Sequence, residues 1–218
     1  MSRVVRRFVL PAMLALSLSG CGMVSYSLTA DLPNAGQPSG KPQRTQTADA
    51  SGAIPKVAAA TTTYDRAPKG SYEQAPAGAL AARDYASTRL DAERARDLVN
   101  TFRRQNGLRP LKLQPALTEA ARAHSRDLAK WDRISHFGSD GSNPWDRVKR
   151  AGYNAKVAAE NVGTGQASLE EVIKGWQASP GHNKNLLLAD VEQMGIALVQ
   201  DPRTEFKTFW TLVVGASL

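Results

Sequence analysis

The C-terminal part of this 218-residue chain is predicted to be an α+β layered domain. Three observations lead there. Apolar residues recur at helical spacing in several segments between Asp91 and Trp176. Two alternating segments near the C-terminus flank the turn Asp201-Pro202-Arg203-Thr204. The order is helices first and a hairpin last, which suits layers of helix on antiparallel sheet. In the first helix Ala95, Leu98, Val99 and Phe102 form the stripe, Thr88 and Asp91 are capping candidates, and Gly107 closes it. Pro115 opens a second helix at a position where its missing N–H does no harm. The stripe of that helix is Leu117, Ala120, Ala121, His124, Leu128 and Trp131. A short third helix is expected from near Pro144 to Gly152. Ser168 and Glu171 read as a capping box for a fourth, with Leu169, Val172, Ile173 and Trp176 on its buried face. Gly195 to Gln200 and Phe206 to Val214 are the expected strands. The domain is placed at residues 85–218, roughly 130 residues, enough for one core.

The N-terminus reads as an export signal, residues 1–20. Arg3, Arg6 and Arg7 precede an apolar run from Phe8 to Leu18, too short to span a membrane comfortably. Leu18-Ser19-Gly20-Cys21 then resembles a bacterial lipobox, with Cys21 as the lipidation site. Several acyl chains there would anchor the chain stably where one would not. An ordinary signal peptide with an unpaired cysteine is the plainer alternative. The Arg6-Arg7 pair hints at twin-arginine export, though ordinary secretion fits the rest of the run better. Gly22, in place of an aspartate, leans toward the outer membrane where two membranes exist. Residues 21–84 are expected to be a flexible tether. Prolines are scattered there among Gly, Ser, Thr, Gln and Ala, and sparse apolar residues cannot offset the entropy of ordering. The Thr61-Thr62-Thr63 run would also allow a mucin-like stalk.

The formal charge is +8; without the three signal arginines it is near +5, from 25 basic against 20 acidic residues. That mild excess suits a surface facing anionic lipid or wall polymer. Phosphate loops, cysteine-based zinc spacings and basic helices with interleaved aromatics are absent from the sequence, so no nucleic-acid partner is expected. With one cysteine, the chain has no intramolecular disulfide.

Chemistry then falls to histidines and carboxylates. His124 lies on the apolar stripe of the second helix, where a lone histidine is more often a satisfied core residue. Glu160, in Ala159-Glu160-Asn161-Val162, sits just before the loop Gly163-Thr164-Gly165; it either caps that loop or meets a partner. His182 follows Ser179-Pro180-Gly181 in an expected loop, and His136 precedes Phe137-Gly138-Ser139-Asp140-Gly141-Ser142. Two imidazoles and a carboxylate meeting in a cleft could bind a divalent cation such as zinc or exchange protons. Spacing alone does not show that they meet.

Taken in order, Arg103…Gly107-Leu108, Leu117…Ala121-Arg122-Ala123-His124-Ser125, Ala159-Glu160-Asn161-Val162, Trp176…Ser179-Pro180-Gly181-His182 and Gln193-Met194-Gly195-Ile196 resemble a bacterial CAP domain. That is the superfamily of cysteine-rich secretory proteins, antigen 5 and plant pathogenesis-related proteins. The stretch from His136 to Tyr153, including Arg147, is similar to bacterial members too. The resemblance implies an α-β-α sandwich with a central antiparallel sheet and an open cleft. In eukaryotic relatives that cleft holds two histidines and two glutamates able to take a divalent cation. By the same resemblance His124 and His182 take the histidine places and Glu160 one glutamate place. The other glutamate has no counterpart, since Ser179 stands there. A reduced metal site, or none, follows. His136 and Ser179 are accessory candidates, although Ser179 lacks a nucleophile elbow.

The leading reading is a non-enzymatic, envelope-anchored binding module offering its cleft to a lipid, a peptidoglycan fragment or a protein. The alternative is a metal-assisted, peptidase-like hydrolase using His124, Glu160 and His182. A purely structural envelope protein is the third.

Overall fold

The structure, a computed structural model, describes residues 65–218. The signal, Cys21 and most of the expected tether lie outside these residues. Eleven elements follow in the described chain: β1 (Tyr72–Glu73), α1 (Ala92–Gln105), β2 (Lys112–Leu113), α2 (Pro115–Trp131), β3 (Ile134–Ser135), α3 (Pro144–Arg150), β4 (Ala155–Thr164), α4 (Leu169–Ala178), α5 (Pro180–Leu186), β5 (Gln193–Gln200) and β6 (Thr208–Ser217).

The main sheet has the order β2-β5-β6-β4. Its three long strands are antiparallel, and β2 adds a two-residue parallel edge that the expected all-antiparallel sheet lacked. Side chains alternate across β6, which is buried on both faces. Trp210, Leu212 and Val214 pack against α1, α4 and α5 through Ala95, Val99, Leu169, Val172, Ile173, Trp176 and Leu186. Val213 meets Leu117, Ala120 and Ala121 of α2 and Val148 of α3 on the other face. The result is the expected α-β-α sandwich.

The caps follow the local chemistry. Asp91 accepts from the Glu93 and Arg94 amides, satisfying two of the orphan donors that open α1. Thr88, the other candidate, instead donates to Ala167 O at 2.7 Å. Ser168 caps α4 by accepting from the Glu171 amide, but the Glu171 carboxylate turns to the Ala167 amide and Arg83. Only half of the expected capping box forms.

β4 was expected only as the approach to a glycine loop. The sequence Ala-Lys-Val-Ala-Ala-Glu-Asn-Val-Gly-Thr is instead a ten-residue strand paired along β6. Its alanines carry little intrinsic strand preference, and the pairing comes from the sheet it joins. Ser179-Pro180-Gly181-His182 does not end in a loop either. Ser179 closes α4 and opens α5, so His182 is helical.

The folded chain also begins earlier than Tyr85. Residues 65–84 strap across α2 and β3. Asp65 pairs with Arg133 Nη1 at 2.5 Å, and Arg133 itself is 1 % exposed. The Arg133 guanidinium lies 4.9 Å from the Tyr72 ring centre and 5.6 Å from that of Trp131. β1 pairs with β3, and Leu80 is buried among Leu128, Ile134, Val162, Phe206 and Phe209. Residues 65–84, expected as the end of the tether, are therefore packed onto the domain.

β5 and α2 approach closely at Gly195. A Cβ there would stand 2.1 Å from Thr118 N and 2.2 Å from Leu117 C. Backbone cannot yield as a side-chain tip does. Gly195→Ala is therefore expected to destabilise by about 1–3 kcal/mol, read as a lower midpoint in urea unfolding. An unchanged midpoint would mean that α2 slides freely on the sheet.

Candidate functional site

Three elements and the residue after β3 aim polar side chains at one buried point between α2 and the sheet. α2 supplies His124 from its inward stripe. The residue after β3 supplies His136. α3 supplies Arg147, which shares the buried face of that helix with Pro144 and Val148. β4 supplies Glu160, paired with Val213 of β6.

Glu160 has a fully buried carboxylate. Arg147 Nη2 donates to both its oxygens, at 2.9 Å to Oε1 and 2.7 Å to Oε2. The same guanidinium donates to His136 O and Ser142 O, each at 2.9 Å. His136 Nδ1 donates to Glu160 Oε1 at 3.0 Å. His124 Nε2 lies 3.5 Å from that oxygen but donates to Ser135 O at 2.8 Å. A carbonyl can only accept, so Nε2 carries the proton. His124 Nδ1 is buried without a hydrogen-bond partner.

The protonation states follow from burial and charge. Burial, then the Arg147 charge, push the His124 imidazole down to about 4, so it is neutral near pH 7. Burial alone would raise the Glu160 carboxyl. The Arg147 guanidinium, with the two imidazoles beside it, more than reverses this and holds it far below the usual carboxylate range. Glu160 is thus an ionised, paired group.

Adjacent strand residues point to opposite faces. Asn161 accordingly turns toward α5, donating to His182 O at 3.1 Å and accepting from Asn185 Nδ2 at 2.9 Å. Asn185 Nδ2 also donates to Glu160 O at 3.0 Å. His182 is 1 % exposed. Its backbone is thus tied to the strand that carries Glu160. Ser179 serves as the joint between α4 and α5.

Of the residues singled out from sequence, His124 and Glu160 meet, and His136, expected as an accessory, makes the shorter contact. Arg147 was missed as a site residue. Its i, i+3 spacing from Pro144, ahead of the apolar Val148, was the available signal that it faces inward.

The residues do not fit a divalent ion. Both imidazole nitrogens nearest Glu160 carry protons, and the carboxylate is taken by a guanidinium. Among the described residues no three His, Cys, Asp or Glu side chains form a metal-ligand group.

Beside the cluster lies a cavity of about 400 Å³ between α2, the 138–142 loop and α3. His124 and Arg147 form part of its wall, the small side chains of Ala120, Ala123 and Ala151 leave its space, and Arg150 and Asp140 stand at its edge.

A polar cluster enclosed by an α-β-α sandwich in this element order defines a CAP domain, and the chain belongs to the cysteine-rich secretory protein (CAP) family, whose model matches residues 96–214. It is 36 % identical over 104 residues to the uncharacterized protein YkwD of Bacillus subtilis, covering 48 % of this chain and 40 % of that protein. It is 28 % identical over 102 residues to the uncharacterized membrane protein YlbC of the same organism, covering 47 % and 30 %. The match thus spans well under half the length of these relatives. The fold is similar to that of an extracellular SCP-domain protein from Bacillus anthracis, with a TM-score of 0.52, 24 % identity and coverage of 58 % of this chain and 40 % of that one. It is also similar to an outer surface protein of Borrelia burgdorferi, with a TM-score of 0.53, 18 % identity and coverage of 58 % and 92 %.

Proposed function

We propose that this CAP-domain protein is an envelope-anchored binding module whose ligand enters the cavity beside His124 and Arg147. The observation that carries the reading is the closure of the cluster. Glu160 is ionised, buried and held by Arg147, so it neither gives up a proton nor reaches one on a substrate. His124 spends its one N–H on Ser135 O. What remains open is a part-apolar cavity that mixes small side chains with the charged Glu119, Asp127, Asp140, Arg147 and Arg150, a lining that suits recognition of a polar ligand.

The anchoring half of the proposal rests on Cys21 and the leader before it. It agrees with relatives described as membrane, extracellular or outer-surface proteins. Cys21→Ser is expected to move the full chain from the detergent phase to the aqueous phase on partition.

Binding is tested on the full chain with two probes, soluble peptidoglycan fragments and phosphatidylglycerol vesicles. Ala123 is exposed and lines the cavity, so Ala123→Trp fills the space without entering the core. Capture of one probe that falls about tenfold in this variant supports the reading. Equal capture by both proteins, or capture of neither probe, overturns the cavity assignment. Release of cleaved fragments by the wild type would favour the hydrolase instead.

A further inference from the structure

We propose that Arg147 is the resident cation of this site, and that its guanidinium occupies electrostatically the place a divalent ion would otherwise take beside Glu160. The inference goes beyond the binding reading and stands independently of it, because its readout is metal uptake rather than ligand capture.

The donor arrangement carries it. A metal site needs lone pairs converging on one point. Here hydrogens converge instead. Arg147 Nη2 covers both Glu160 oxygens, at 2.7 and 2.9 Å, with two N–H groups' worth of donor directions shared between them and His136 O. His136 Nδ1 offers Glu160 Oε1 a proton at 3.0 Å. The His124 nitrogen 3.5 Å from that oxygen carries the proton it gives to Ser135 O, and its other nitrogen is buried away from any hydrogen-bond partner. The charge also closes: one guanidinium faces one carboxylate with no net negative charge left for a dication. A divalent ion entering would sit against Arg147 in a site whose carboxylate is fully buried, where repulsion is screened least.

Arg147 is anchored from its other side as well, since Nη1 donates to Ser142 O at 2.9 Å. The guanidinium therefore also holds the 138–142 loop and the residue after β3 against β4. A metal ion would link only the ligands; this arginine additionally holds two backbone carbonyls. The shape of the cluster therefore depends on α3.

Removing the guanidinium should uncover the latent ligands. Glu160 then has no counter-ion, and only the His136 donation and the His124 ring remain beside it. The full chain is stripped with chelator, dialysed against about 10 µM zinc and analysed for bound metal, a concentration that a weak three-ligand site would still register. Wild type is expected to hold far less than one zinc per chain, and its melting temperature should not respond to chelator or zinc. Arg147→Met should gain about 10- to 100-fold in zinc affinity and be stabilised by the ion, and the gain should vanish when Glu160→Gln is added. Arg147→Gln, which keeps amide donors for the two carbonyls, is the second variant should the first fold poorly. Stoichiometric zinc in wild type that is lost with Glu160→Gln would overturn the proposal. So would folded Arg147 variants, checked by circular dichroism, that gain no zinc.

Discussion

Arg147→Met is expected to destabilise the metal-free domain by about 3–5 kcal/mol, because it leaves a buried carboxylate without its counter-ion. The Glu160 side chain is fully buried and that of Arg147 only 5 % exposed. Loss of two further donations, to His136 O and Ser142 O, works in the same direction. The loss should appear as a fall of about 10 °C or more in the melting temperature. Much of it should return in the double variant Arg147→Met, Glu160→Gln, since a neutral amide costs less to bury than an ion. The Arg94–Glu170 pair is the control. Its side chains are 61 % and 51 % exposed, and breaking such a pair costs about 0–1 kcal/mol. If Arg94→Met and Arg147→Met melt alike, Glu160 is reached by water in solution.

Stability should also fall as pH drops from 7 to 4. His124 carries a folded value of about 4 against 6.5 for a free imidazole, so the unfolded chain takes up the proton first. Its contribution is complete above pH 6.5, declines below it and is gone near 4, a loss of about 3 kcal/mol. The depressed Glu160 carboxyl has the same sign and extends the loss to more acid pH. His124→Gln can still offer an N–H toward Ser135 O but does not titrate. Its melting temperature should therefore change less than that of wild type between pH 7 and 4. Parallel curves for the two proteins would remove His124 as the cause.

Much of the layering was legible because it is written at short range. Asp91, Pro115 and Ser168 mark helix starts by satisfying or omitting backbone donors, and the stripes they introduce face the sheet. β4 was not legible, since alanines and a glycine become a strand only by pairing with β6. The strap was missed for a related reason. Pro68, Gly70, Pro76 and Gly78 give residues 65–84 the composition of a linker, yet Asp65, Tyr72, Leu80 and Arg83 are among the residues that dock it. The site was half legible. Family resemblance pointed to His124 and Glu160. The weight carried by His136, and by an arginine 13 residues ahead of Glu160, depends on which faces of α3 and β4 meet.

The strap gives the fold a mechanical entry point. Tension on the chain ahead of Asp65 is first borne by the Asp65–Arg133 ion pair and by the Arg66 amide bonded to Ser139 O at 2.7 Å. Behind them lie the Tyr72–Ser135 and Glu73–Ile134 strand pairs. Ser139 belongs to the loop that borders the cavity, and Ser135 directly precedes His136. Load on the strap is therefore passed to the loop that borders the cavity and to the residue next to His136.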